Sequence, residues 1–160
     1  MKKSILGLAA AAAAALHSLP SAAQTLHGDW ESFAKDGRCW ASTAPQSSSG
    51  SIPGRSGAYL SIQNHPDEGV RGSVSVVAGF KASEEGEVML EVDGETFEAL
   101  PFGGAAFTAS GKPEAQLIAA MRRGKELTVT WTDPAGGSAT DRYSLIGFGS
   151  AKGDIDGRCS

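Results

Sequence analysis

The chain has 160 residues, 41% of them hydrophobic and 20% charged, with a formal net charge of −4. That length suits one domain with a single core. The mild acidity excludes nonspecific nucleic-acid binding, which needs a basic footprint.

Lys2 and Lys3, the apolar stretch Ile5 to Leu16 and the small residues Ser21-Ala22-Ala23 together predict an export leader cleaved between Ala23 and Gln24. The apolar stretch is too short to cross a hydrocarbon layer of ~30 Å. Its alanine run has no polar face, which argues against a buried helix. No cysteine follows the cleavage site, so no lipid anchor is expected. Residues 1–23 are therefore read as a cleaved signal peptide, and residues 24–160 as one exported domain without a transmembrane span. Without Lys2 and Lys3, 12 basic residues face 18 acidic ones, a net charge of −6.

Trp30 and Phe33 offer apolar anchors, and Lys35 to Arg38 form a tight turn before a strand from Cys39 to Thr43. Pro45 to Gly57 has the serine- and glycine-rich composition of a flexible loop. Strand character resumes over Ala58 to Gln63. After the turn-rich Asn64 to Gly69 comes a valine-dense strand, Val70 to Phe80. Glu87 to Leu100 is a hairpin about Asp93-Gly94, a strong two-residue turn signal. Pairing Val92 with Glu95 puts Leu90 opposite Phe97 and Val88 opposite Ala99 on one face, with Glu91/Thr96 and Met89/Glu98 on the other. A one-residue slip would scramble that separation. Phe102 to Phe107 adds a short strand.

Leu117, Ile118 and Met121 lie at helical spacing, so Pro113 to Arg123 is a helix, with Pro113 in its first turn and Gly124 as its C-cap. Leu127, Val129 and Trp131 then alternate with polar residues as a half-buried strand. Asp133 to Gly137 turns the chain, and Tyr143 and Leu145 mark a return strand. In the tail, Phe148, Ala151 and Ile155 have near-helical spacing, opposed by four glycines, so a short C-terminal helix stays open as a reading.

Cys39 and Cys159 stand near the two ends of a chain addressed to an oxidising compartment, which points to one disulfide. No CxxC or adjacent histidine activates either sulfur for thiol chemistry. His27 and His65 lack paired ligand spacing, so no metal is expected. Asp154-Ile155-Asp156-Gly157 matches a fragment of a calcium loop, but Lys152 stands at the first acidic position and no glutamate follows, so a solvated tail is favoured. His65 beside Asp67 is the one start for a nucleophilic site, and it lies in a turn without a nucleophile motif. Glu84, Glu85 and Glu87 form an acidic cluster that reads equally as a cation-binding group or as a solvated strand entry. Arg122-Arg123 complement a helix C-terminus, and Asp141 and Arg142 are expected to pair across their hairpin. No catalytic residue and no cofactor are assigned.

A leader, a Trp near the mature start, Gly37-Arg38-Cys39, the helix AQLIAAMRRG at Ala115 to Gly124, Asp141-Arg142-Tyr143-Ser144-Leu145, Gly147-Phe148 and a terminal Cys159 follow one another in a specific order. In this the chain resembles the invasion-associated locus B family, from about Asp29 to Cys159. The resemblance implies an exported protein of Gram-negative bacteria, periplasmic or associated with the outer membrane, with a part in host-cell entry in the founding members. It also implies a bridge between Cys39 and Cys159, and it carries over no catalytic residue. The loop Gln46 to Gly57 is less basic here than the family pattern leads one to expect.

The fold expected is mainly β, an antiparallel sandwich of about seven to nine strands with the helix 113–123 capping an open end or edge. The function expected is that of a non-enzymatic envelope protein, working through contacts with another envelope protein or a host-surface protein. The alternatives are a small periplasmic ligand binder and a hydrolase whose site the sequence does not display.

Overall fold

The structure is a computed structural model that describes residues 23–160. Apart from Ala23, the segment read as a signal peptide lies outside the described residues. Eleven antiparallel strands form one continuous hydrogen-bonded sheet in the order β1-β2-β3-β5-β6-β9-β8-β7-β10-β11-β4. In chain order they are β1 Ala23–His27, β2 Trp30–Lys35, β3 Arg38–Thr43, β4 Ser47–Gly50, β5 Tyr59–His65 and β6 Val70–Val77. Then come β7 Glu87–Val92, β8 Glu95–Phe102, β9 Ala105–Thr108, β10 Glu126–Thr132 and β11 Ser138–Ser144. Two helices, α1 Lys112–Arg123 and α2 Phe148–Arg158, complete the domain.

Side chains alternate between the two faces of a strand, and here the register sorts them, with one irregularity in the β5–β6 pairing between Gln63 and Asn64. Trp30, Ala41, Leu60, Ile62, Val74 and Val76 point inward from one half of the sheet. Val88, Leu90, Val92, Leu127, Val129 and Trp131 do so from the other. The two halves close on each other as a sandwich. The indole N–H of Trp30 on β2 donates to the Ser144 carbonyl on β11 at 2.9 Å, although these strands lie near opposite ends of the ladder. Burying each large apolar side chain contributes about 1.5–3 kcal/mol, so this inner face is the main source of stability.

The β7–β8 hairpin has the register that the sequence predicts, with Val92 opposite Glu95, Leu90 opposite Phe97 and Val88 opposite Ala99. The strand count exceeds the seven to nine expected. Part of the excess is β1 and β2, which pair with each other ahead of the expected first strand from Cys39 to Thr43. Another part is β4, in the Pro45 to Gly57 segment read as a flexible loop. Its Ser-Ser-Ser-Gly run gives no side-chain signal, and its pairing with β11 is made by backbone groups.

The helices cover the end of the inner face that carries Cys39, Asn64 and Gly72. Helix α1 seats Leu117, Ala120 and Met121 in the core, and α2 seats Phe148, Ala151 and Ile155. Phe148 meets Trp30 edge-on, with ring centroids 5.0 Å apart. Gly124 ends α1 as its C-cap, as expected, and does so in extended backbone (φ −78°). Its value is space, since a Cβ there would stand 2.4 Å from Val92 Cγ1. Gly147, just before α2, has φ +93°, and a Cβ there would lie 1.7 Å from the His27 carbonyl oxygen. A disulfide joins Cys39 on β3 to Cys159 just past α2, with Cα atoms 5.8 Å apart and a sequence separation of 120.

Candidate functional site

The opposite, outward face of the same strands is not polar throughout. Phe33 and Trp40 are paired across β2 and β3, and their rings stack 5.3 Å apart at 14°. The next outward row runs Ser42, Ser61, Ser75, Phe107 and Leu100 across β3, β5, β6, β9 and β8. A third holds Tyr59, Val77, Ala105 and Phe102. Tyr59 is 42% exposed, Leu100 60% and Phe102 69%. A solvated sheet face normally alternates against its core with polar residues, so large apolar side chains gathered on it make this face the candidate site.

Two adjoining hollows shape this face. One, of about 650 Å³, is lined by Phe33, Trp40, Tyr59, Gln63, Val77 and Phe107, with the Ser61 and Ser75 hydroxyls hydrogen-bonded to each other at 2.8 Å on its floor. The second, of about 540 Å³, is lined by Asp29, Glu31, Thr43 and Gln46. Ser42 and Tyr59 belong to both, so the two are one depression with an apolar and an acidic end. Phe33, read from the sequence as an apolar anchor, stands on this outer face. Its phase on β2 is opposite to that of Trp30 and Ser32, which are fully buried.

Most of the remaining residues singled out in the sequence make local contacts. His65 Nδ1 lies 2.8 Å from Glu68 Oε2, next to a single 3-10 turn at Pro66–Glu68. The hollow beside it is lined by Arg38, Trp40, Gln63 and Asn64 among others, with no serine. Among the described residues no group of three or more His, Cys, Asp or Glu side chains is placed to hold a metal. Glu84, Glu85 and Glu87 are exposed. Arg122 lies 3.8 Å from Asp156, and Arg123 3.7 Å from Glu95. The segment Asp154 to Gly157 is helical and packed, not a solvated tail. Arg142 faces Glu126 at 3.9 Å, whereas Asp141 turns inward, fully buried. There it pairs with Arg55 and accepts a hydrogen bond from Ser48 at 2.6 Å. That ion pair fastens the segment after β4 across the sandwich, and the Arg55 guanidinium lies over the Phe80 ring at 5.6 Å.

One constellation escaped the sequence altogether. His27, Ser32 and Asp154 meet where β1, β2 and α2 join. Ser32 Oγ lies 2.9 Å from His27 Nε2 and donates to Asp154 Oδ2 at 2.5 Å. A nucleophilic triad needs the carboxylate on the imidazole nitrogen away from the serine. Here Asp154 and Ser32 both face Nε2, and the serine proton goes to the carboxylate. Arg158 binds Asp154 and Ser32, and Ser32 is wholly buried. The cluster is a latch between helix and sheet. The Ser32 hydrogen bond and the Arg158 guanidinium hold the Asp154 carboxyl below the usual carboxylate range.

No helix among the described residues is long and apolar enough to cross a membrane. The fold and site define a β-sandwich domain with exposed aromatic and aliphatic side chains on its outer face. The chain belongs to the family described as Invasion associated locus B (IalB) protein, whose model matches residues 30–156. Its fold is similar to that of the crystal structure of invasion associated protein B from Bartonella henselae, with a TM-score of 0.61 and 20% sequence identity. That likeness covers 84% of this chain and 96% of the other. No curated protein sequence is significantly similar to the chain.

Proposed function

We propose that this chain is an exported, non-enzymatic envelope protein, periplasmic or associated with the outer membrane, that holds a protein partner on the outer face of its sheet. The observation that carries this reading is the band of aromatic and aliphatic side chains from Phe33 to Phe102 on the outward face, where Tyr59, Leu100 and Phe102 are exposed. Rings placed this way bury a large area at little cost in side-chain entropy, which is why they anchor interfaces. Family membership supports an association with invasion, and the Lys2/Lys3 leader supports export. The partner is an envelope or host-surface protein.

A small-molecule site between the layers is less well supported, because the inner face is filled by the side chains that close the sandwich. A hydrolase is less well supported too, since the Ser32–His27–Asp154 cluster has its serine proton committed to Asp154.

Chemical cross-linking of the tagged protein in cells, followed by mass spectrometry, tests the reading. The wild type is expected to capture one recurring envelope or host-surface protein, and the variant Trp40→Ser/Phe107→Ser to lose it while remaining folded. Undiminished capture by the variant would overturn the reading.

A further inference from the structure

The two ends of the outer depression differ in charge, and this says which chemistry fits. Asp29 and Glu31 line one end. Glu31 accepts a hydrogen bond from Gln24 at 3.1 Å, but among the described residues neither acid has a cationic partner. Other acids around the domain do have one, including Glu68, Glu95, Glu126 and Asp156. No lysine or arginine lines either hollow. An anionic group brought here would meet two carboxylates and no counter-charge, so phosphate, nucleic acid and acidic lipid are disfavoured. A cation would find both carboxylates and the exposed Tyr59 ring, whose π face attracts positive charge.

The apolar end sets the shape of the occupant. From Phe33 on β2 to Phe107 on β9 the depression crosses four inter-strand steps, roughly 19 Å at the usual strand spacing. That distance equals about six extended residues. Gln63 and the serine hydroxyls along the way offer hydrogen bonds to a peptide backbone.

We propose that the outer face receives an extended segment of the partner polypeptide, with a lysine or arginine of that segment seated between Asp29, Glu31 and Tyr59 and its apolar residues over Phe33, Trp40 and Phe107. This rests on the contact-surface reading above and adds the chemistry of what is held. Specificity comes from the charged end, and the rings provide the buried area.

The test uses residues 24–160 and a fluorescein-labelled octapeptide of alternating lysine and leucine, with its glutamate-for-lysine counterpart as control, both followed by anisotropy. The lysine peptide is expected to bind saturably and to weaken steeply as salt rises; the glutamate peptide should not saturate. Asp29→Asn/Glu31→Gln is expected to weaken the lysine peptide at least tenfold. Glu84→Gln/Glu85→Gln removes the same charge elsewhere and is expected to leave binding within twofold. Equal loss in both variants would mean general attraction to an acidic protein and would overturn the proposal, as would equal binding of the two peptides. Chitohexaose, followed by tryptophan emission, checks the other occupant that such rings take. Saturation by the sugar but not by the lysine peptide would overturn the proposal in favour of a glycan. If the lysine peptide fails while Trp40→Ser/Phe107→Ser still abolishes capture in cells, the charge assignment falls and the contact surface stands. If capture survives that variant, the surface itself falls.

Discussion

The Trp30 indole N–H and the Ser144 carbonyl, 2.9 Å apart, tie the second strand of the chain to its last. Trp30 has no exposed surface, and neither its ring nor the Ser144 carbonyl has water to turn to if the other is lost. A buried acceptor left unpaired costs about 1–3 kcal/mol. Trp30→Phe is therefore expected to lower unfolding stability by about that much, and Trp30→Ala by about 3–5 kcal/mol through the added cavity. Urea unfolding of the three proteins checks this. A Trp30→Phe protein as stable as the wild type would mean that the strands are held together by packing alone.

Much of this closure is written in the residues that carry the family resemblance. Trp30, Cys39, Gly124, Tyr143, Ser144, Gly147, Phe148 and Cys159 all serve packing, pairing or close approach in the structure. They are legible because burial confines the choice of side chain. The β7–β8 hairpin was legible for a similar reason, since Asp93-Gly94 fixes the turn and alternation fixes the register. The outer face was not. On β2, Trp30 and Phe33 fall on opposite faces, and with Ser32 inside and Glu31 outside the strand carries no clean phase. Phe33, Trp40, Tyr59 and Phe107 become neighbours only through pairings across β2, β3, β5, β6 and β9, and no local spacing announces that. Likewise Asp141 reads as a surface hairpin residue until Arg55, 86 positions away, is seen to reach it.

Tyr143 offers a probe of the buried pair. Burial pushes its phenol well above the ordinary value, and the Asp141 carboxylate pushes it further, against an opposing pull from Arg55. Its hydroxyl finds no hydrogen-bond partner among the described residues. A folded-state pKa above the unfolded value of about 10 means that stability is retained below that pH and lost as pH rises through it. Tyr143→Phe is expected to be neutral or to stabilise by about 1 kcal/mol at pH 7, and to gain on the wild type as pH climbs from 10 to 11. Chemical unfolding at the two pH values reads both. A Phe variant clearly weaker at pH 7 would show that the hydroxyl has a partner.

Asp154 predicts the opposite limb. The Ser32 hydrogen bond and Arg158 favour its charged form in the fold, so its pKa is lower folded than unfolded. The stability it contributes is complete above about pH 4, the ordinary carboxylate value, and is lost as pH falls through the folded value. Asp156 adds to the same limb: although burial pushes its carboxyl up, the Lys152 and Asn64 hydrogen bonds bring it below the usual range. Asp154→Asn is expected to be less stable at pH 7 and to lose less on acidification, leaving a shallower but not flat acid limb. Parallel limbs for the two proteins would mean that the latch leaves no mark on the proton balance.

The disulfide meets that latch at the far end of α2. Asp154 and Arg158 hold the helix to Ser32, and the Cys39–Cys159 bond fastens the residue that follows it to β3. Asn64 of β5 bonds Asp156 at 2.8 Å between them, so several non-covalent ties remain when the sulfurs are removed. The native contacts of α2 are therefore expected to survive in Cys39→Ser/Cys159→Ser, and the loss to fall on the unfolded state, freed from a closed loop of 120 residues. In the chain-entropy account this is worth roughly 4–5 kcal/mol, or a fall of roughly 10–20 °C in Tm for a domain of this size. Circular dichroism should show the same fold below that lower midpoint, and hydrogen exchange should show protection falling throughout the domain, not in α2 alone. An unchanged midpoint would remove the bond from the list of stabilising features. A loss confined to α2 would make it a local clasp, with the sandwich standing without it.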